Sequence, residues 1–191
     1  MEPSNTKLHI IGFCGSLRRN SYNRGLLRSA ERQLPENAQF TLANISVLPF
    51  FNEDLENSLP ESVVKLRELA KSADAVVIST PEYNLSISSV LKNALEWLSR
   101  QSLGRPIAGK PVAIMGATPL AIGTSQAQAH LRDILFGLNM HLVNRPIVMV
   151  GNAIEKFEKE GNLIDATTEQ LIGLMIRELI ICTEQEKTRH D

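Results

Sequence analysis

Short apolar segments alternate with helical patterns five times along this chain, and the alternation restricts its fold more than any other feature. The apolar segments are rich in Ile and Val and too short for helices. They cover residues 8–14, 40–47, 75–78, 112–115 and 146–150. Strands that alternate with helices at this spacing are typical of right-handed βαβ units. We therefore predict an α/β fold with a doubly wound, five-stranded parallel sheet and helices on both faces.

Apolar spacing and end signals place helices between these strands. Pro60 suits a first helical position, Ser89 suits an N-cap, and residues 167–170 have the pattern of a capping box. Five such strands favour the flavodoxin-like order 2-1-3-4-5, whose ligand crevice lies beyond the carboxyl ends of strands 1 and 3. The predicted helices cover residues 23–33, a segment from 60, 89–99, 124–135, and a last stretch from 165 or 167 to 182.

The 191 residues most simply form one domain, 1–191, with residues 1–6 and 184–191 expected to be flexible. The net charge of −1 argues against bulk attraction to nucleic acid or to an anionic membrane surface. No apolar run approaches the roughly 20 residues of a membrane span. Cys14 and Cys182 form no disulfide framework, so the cytoplasm is the expected compartment.

The loop after the first strand is suited to an anion. It offers the hydroxyls of Ser16 and Ser21, the amide of Asn23 and the guanidinium of Arg18, and it leads into a helix N-terminus, which favours negative charge. Gly15 allows the backbone to approach a ligand closely. An ordinary strand-to-helix connection with Ser21 as N-cap would explain the same residues, so both interpretations stay open here.

The loop after the third strand is suited to a flat heterocycle. Pro81 stiffens it, and backbone groups near Glu82 can face the polar edge of a ring. Tyr83 can lie against such a ring, and Asn84 can donate to it or stabilise the loop. Alternatively, Tyr83 is a packing residue and Asn84 a turn residue. Both loops follow the strands that border the predicted crevice, so an anionic, aromatic ligand would contact both.

Three motifs occur in order: Gly-Ser-Leu-Arg-x-x-Ser-x-Asn, Pro-Glu-Tyr-Asn-x-Ser and Leu-Lys-Asn-Ala-x-x-Trp-x-Ser-Arg. Together, over about residues 7–150, they resemble the NADPH-dependent FMN reductase family, which includes bacterial quinone, chromate and azo reductases. The resemblance implies a flavodoxin-like fold, non-covalent FMN and NADPH or NADH as co-substrate. It implies a small acceptor, either a quinone, an azo compound, a metal oxyanion or free flavin. It also implies a homodimer or tetramer with the flavin near a subunit interface.

The same resemblance assigns the site residues by position. The first loop would hold the FMN phosphate, the second would contact the isoalloxazine ring, and a third, after the fourth strand, would approach the ring. Hydride transfer is the flavin's own chemistry, so no side chain is assigned as catalytic acid, base or metal ligand. The expected cofactor-binding residues are Gly15, Ser16, Leu17, Arg18, Ser21, Asn23, Pro81, Glu82, Tyr83, Asn84, Leu85, Gly116 and Thr118.

The chain departs from the family pattern at two places. Ser88-Ser89 replaces the usual Pro-Gly before the third helix, which can alter the loop geometry. Gln126 and Ala129 replace an Arg and a Tyr that build subunit contacts in relatives, which leaves the tetramer open. His130, on the same predicted helix, is a residue that could border the crevice.

Two functions other than an FMN-dependent NAD(P)H oxidoreductase are compatible with such a crevice. A flavin-binding electron carrier would typically have an acidic docking face, whereas this chain has 20 basic and 21 acidic residues. A nucleotide-binding regulatory protein would use the crevice for another phosphate. The helix predicted near the C-terminus is apolar nearly all round from Leu171 to Ile181, so we expect a second subunit to cover part of it. We also expect Phe50 and Phe51 to help shape an open substrate pocket beside Tyr83.

Overall fold

The computed structural model describes residues 7–190, and these form one six-stranded parallel sheet. The strands are β1 (Leu8–Cys14), β2 (Ala38–Leu42), β3 (Ala75–Ser79), β4 (Pro111–Ala117), β5 (His141–Leu142) and β6 (Val148–Val150). They lie in the order β2-β1-β3-β4-β5, with β6 also paired to β4. The predicted flavodoxin-like order is therefore confirmed, with one strand more than expected.

Helices cover both faces of this sheet. One face packs against three helices through Leu66, Leu91 and Leu131, and the other against two helices through Leu26 and Ile172. The helices are α1 (Tyr22–Arg32), α2 (Glu61–Ser72), α3 (Ser89–Ser99), α4 (Ser125–Gly137), α5 (Ala153–Lys156) and α6 (Ala166–His190). Helices α2, α3 and α4 carry Leu66, Leu91 and Leu131 and cover the first face. Helices α1 and α6 carry Leu26 and Ile172 and cover the second face.

The inner strands are apolar throughout because they are buried on both sides. In β3, Val76 and Ile78 face the cluster under α2 to α4, whereas Ala75 and Val77 face the cluster under α1 and α6. This double burial explains why the strand gives no alternating pattern in the sequence.

The fifth predicted strand is two short strands in the structure. β5 pairs with the start of β4 and β6 with its end, and residues 143–147 between them belong to neither strand. Pro146 lies in this break and has no N–H to donate to a neighbouring strand. β2 also differs, since it ends at Leu42, five residues before the predicted limit.

At the starts of α2, α3 and α6, the capping position differs from the sequence prediction by one or two residues. Pro60 is the residue before α2 rather than its first residue. Ser88 caps α3, because its Oγ accepts the Leu91 N–H, and Ser89 is the first helical residue. Asp165 caps α6 by accepting both the N–H and the hydroxyl of Thr168, and these bonds hold the pKa of its carboxyl below the ordinary value.

The two chain ends have different outcomes. Residues 1–6, expected to be flexible, lie outside the described residues, as does residue 191. Residues 184–190 continue α6 as helix, so the flexible tail stays a prediction. Within residues 7–190, no helix is both long and apolar enough to cross a bilayer.

Candidate functional site

The loops after β1 and β3 meet at the carboxyl edge of the sheet. The Gly15 N–H donates to the Ser79 carbonyl at 2.8 Å. A Cβ on Gly15 would lie only 3.0 Å from the Pro81 Cδ and 3.2 Å from the Ser88 Oγ. A side chain at residue 15 would force these neighbours to shift by a few tenths of an ångström, so glycine suits the close approach of the two loops. The sequence prediction that the two motifs share one crevice agrees with this geometry.

The first loop keeps its hydroxyls inside and its cation outside. Ser16 and Ser21 are buried, and their Oγ atoms accept the Arg18 and Arg24 N–H groups at 3.4 Å each. The exposed Arg18 guanidinium lies 5.3 Å from the centroid of the Tyr22 ring. Ser21 caps only one of the first N–H groups of α1, so the others remain available to an anion. This arrangement has the charge and the donors that a phosphate group needs.

Asn23 has a structural role that the sequence did not indicate. Its side chain is buried, its Oδ1 accepts from the Ala117 N–H at 3.0 Å and from the Ser79 hydroxyl at 2.9 Å, and its Nδ2 donates to the Ala117 carbonyl at 3.0 Å. One amide thus joins α1 to the ends of β3 and β4. The phosphate contact expected for Asn23 stays a prediction, and only its second amide hydrogen is left for it.

The second loop contains a tight reverse turn. Tyr83 and Ser86 exchange two backbone hydrogen bonds of 3.0 Å each, with Asn84 and Leu85 between them. Both central residues have positive φ, 50° and 62°, which is the pattern of a type I′ turn. Asn tolerates this conformation, but for a residue such as Leu it costs about 1–2 kcal/mol. Strain of this kind persists only where the surroundings hold it, and it is frequent at functional sites.

Two side-chain contacts connect this turn to α4. The Glu82 Oε2 accepts the N–H groups of Gln126 and Ala127, both at 2.9 Å. The residue at the N-cap position of α4, Thr124, makes no side-chain cap, so Glu82 provides one from another loop. On the far side of the turn, the Ser86 Oγ lies 3.1 Å from the His130 Nδ1.

The third expected loop is more buried than the sequence indicated. Gly116 belongs to β4, and a Cβ there would lie 2.3 Å from the Thr124 Oγ1. Thr118 is also buried, and its N–H donates to the Val150 carbonyl at 3.0 Å. The ring contacts expected from these two residues stay predictions, since both are engaged with neighbouring elements of the protein.

Large apolar side chains are exposed along all three loops. Leu17 follows β1, Tyr83 and Leu85 follow β3, and Leu120 and Ile122 follow β4, and each is at least half exposed. A groove of about 780 Å³ runs beside the turn, between it and the helices α3 and α4. An edge that combines free N–H groups with exposed apolar side chains is suited to a ligand with a polar rim and an apolar face.

Of the two adjacent aromatic residues after β2, Phe51 is packed against the protein and Phe50 is exposed. Phe51 packs edge-on against Trp97 at 4.9 Å between ring centroids, and its N–H donates to the Asn93 Oδ1. Trp97 in turn donates its indole N–H to the Pro49 carbonyl at 2.9 Å. Phe50, between these anchors, is 83% exposed. Phe50 is thus the member of the pair that is available to a ligand or a partner.

Some residues of the site were not identified from the sequence. Ser79 donates to Asn23, and Ser88 lies against Gly15, although neither was among the expected residues. Hydroxyl residues directly after the apolar run 75–78 were a usable signal for Ser79. Among the described residues, no group of three or more His, Cys, Asp or Glu is placed to hold a metal ion.

Comparison with known proteins gives consistent matches over most of the chain. The family model described as NADPH-dependent FMN reductase matches residues 8–155. The chain is 40% identical to an NAD(P)H-dependent FMN reductase of Pseudomonas aeruginosa, over 90% of this chain and 93% of that protein. It is 38% identical to a quinone reductase of Escherichia coli K12, over 87% of this chain and 91% of that protein.

A solved structure matches with similar completeness. FerB, a flavoenzyme NAD(P)H:(acceptor) oxidoreductase from Paracoccus denitrificans, superposes with a TM-score of 0.85 at 30% sequence identity. The superposition covers 94% of this chain and 98% of that one. The similarity therefore extends over nearly the full length of both chains.

The role of Asn23 can be tested in flavin-free protein. Asn23→Ala leaves the Ala117 backbone groups and the Ser79 hydroxyl without partners, so we expect the free energy of unfolding to fall by about 2–4 kcal/mol. Asn20→Ala, which removes one exposed hydrogen bond in the same loop, should change it by less than about 1 kcal/mol. Urea unfolding measures both values. Equal stability of the Asn23 variant and wild type would contradict the structural role.

Proposed function

The chain belongs to the NADPH-dependent FMN reductase family, and from this premise we propose that it reduces quinone-type acceptors and holds FMN across the loops after β1 and β3. Membership makes the chain an NAD(P)H-dependent oxidoreductase that uses FMN, and it confirms the resemblance seen in the motifs. FMN, when bound, takes two electrons from NAD(P)H and delivers them to the acceptor.

The contact between Gly15 and the second loop is the observation that carries the proposed position of FMN. It brings a site suited to a phosphate and a site suited to a ring within the span of one ligand. At the phosphate end, Arg18 and the start of α1 supply positive charge. At the ring end, Asn84 and Leu85 at the tip of the turn are exposed, and Leu17 and Tyr83 offer apolar surface. The residues present therefore fit FMN.

The charges beside the groove favour an uncharged acceptor. Of the residues that line it, only Glu82 and Lys92 are charged. Glu82 caps α4, and Lys92 forms an ion pair with Glu96 at 2.5 Å. With both groups already partnered, selection of the acceptor depends on shape and apolar contact, which suits a quinone better than a metal oxyanion. The related Escherichia coli protein is named as a quinone reductase.

The first experiment is a spectrum of the purified protein saturated with FMN. We expect the visible flavin absorption to bleach when NADPH or NADH is added without air, and to return when a benzoquinone is added. Chromate should restore it more slowly than the quinone, because Lys92, the cation among the described residues of the groove, is already paired with Glu96. A protein that takes up no FMN would contradict the function, and faster reoxidation by chromate would contradict the proposed acceptor.

The phosphate site can be tested by comparing FMN with riboflavin. Arg18→Ala removes a charged partner of the phosphate, so we expect the Kd of FMN to rise by about tenfold or more. Riboflavin has no phosphate, and its Kd should change by less than about twofold. Arg177→Ala, on the exposed side of α6, is the matched control. Equal weakening of both ligands would show that Arg18 does not act on the phosphate.

We also propose that the protein is a homodimer and that the exposed side of α6 forms its interface. The sheet covers most of the apolar surface of α6, but Leu174 and Ile181, seven residues apart on one side, remain 45% and 40% exposed. Light scattering at micromolar concentration should give twice the mass of the chain, and Leu174→Arg with Ile181→Arg should give one chain mass. A monomeric wild type would contradict the dimer, and a dimeric double variant would assign the interface to another surface. The cytoplasmic location stays a prediction.

A further inference from the structure

We propose that Glu82 is a positioning residue, which acts on flavin binding by holding the strained turn Tyr83–Ser86 against α4. The inference rests on the proposed FMN site and concerns how its ring end keeps its shape. The Glu82 carboxylate itself points to the α4 N-terminus, because its Oε2 accepts the N–H groups of Gln126 and Ala127. It therefore acts through the backbone of the turn that follows it.

The turn needs such support because of Leu85. Its φ of 62° is one that glycine adopts freely and a leucine does not. Two backbone hydrogen bonds close the turn between Tyr83 and Ser86, and Glu82 lies just before it. On the other side, Ser86 is held by His130 of α4 at 3.1 Å. The turn is thus tied to one rigid helix at both of its ends.

The contact of Glu82 with α4 also stabilises the N-terminus of that helix. Glu82 serves as a cap for α4, which begins without a side-chain cap of its own at Thr124. A carboxylate at a helix N-terminus is further stabilised by the helix dipole. The same contact therefore stabilises the start of α4 and limits the conformations of the turn, so removal of the carboxylate should release both.

The test is a double-mutant cycle on flavin affinity. Glu82→Ala should raise the Kd of FMN and of riboflavin by the same factor, about five- to tenfold, because the ring end is shared by both ligands. Glu82→Gln keeps an acceptor oxygen and should stay within about twofold of wild type. In a Leu85→Gly background the turn is unstrained, so the effect of Glu82→Ala should fall to about twofold or less.

Two further variants separate positioning from general stability. Asp165→Ala removes a capping carboxylate from α6 and should lower the Tm while leaving both Kd values unchanged. His130→Ala removes the contact between His130 and Ser86. It should raise the Kd of FMN and of riboflavin about two- to threefold when residue 85 is leucine, and should leave both values unchanged in the Leu85→Gly variant. His130→Ala gives the same test if Glu82→Ala does not fold.

The proposal would be overturned if Glu82→Ala raised the Kd of the flavins by the same factor with leucine and with glycine at position 85. It would also be overturned if Glu82→Ala changed the Kd of FMN no more than Asp165→Ala does. Failure of wild type to bind either flavin would instead reject the proposed function. Loss of FMN affinity with riboflavin affinity retained would assign Glu82 to the phosphate end and also reject the positioning role.

Discussion

Parallel pairing of β1 with β3 is the constraint on which the rest of the site depends. In this register Cys14 lies opposite Ser79, so the residues that follow each strand emerge side by side at the same edge. Gly15 can then donate to the Ser79 carbonyl and pack against Pro81. The helix-start loop and the turn are distant in sequence, and this pairing brings the proposed phosphate site and the proposed ring site into one crevice.

The features that the sequence predicted correctly depend on burial and strand order. Strands buried on both faces must be apolar, and five of them alternating with helices leave few possible topologies. The features it missed depend on contacts between distant segments. The position of Asn23 after Ser21 predicts a phosphate contact, and no sequence pattern indicated its additional bonds to Ser79 and Ala117. The split between β5 and β6 was missed because a two-residue strand gives almost no pattern of its own.

The two departures from the family pattern have different structural consequences. Ser88 takes the capping position before α3, so replacement of Pro-Gly by Ser88-Ser89 preserves the start of the helix. Gln126 contributes its backbone N–H to Glu82, a contact that does not depend on the side chain. Ala129 is exposed on α4 and offers no polar group to a neighbour. The loop after β3 therefore keeps its support from α4 whatever side chains stand at positions 126 and 129.

The loops around the crevice are held by contacts with helices outside it, so their surface can be both ordered and exposed. Phe51 is held by Trp97 and Asn93, which leaves the adjacent Phe50 exposed. Glu82 is held by α4, which leaves the adjacent Tyr83 half exposed. In both loops the residue that makes the structural contact is next to the one that faces solvent. Binding to loops that are already ordered avoids the entropy cost of fixing them, so this preorganisation suits a shallow, open site such as the one proposed for FMN.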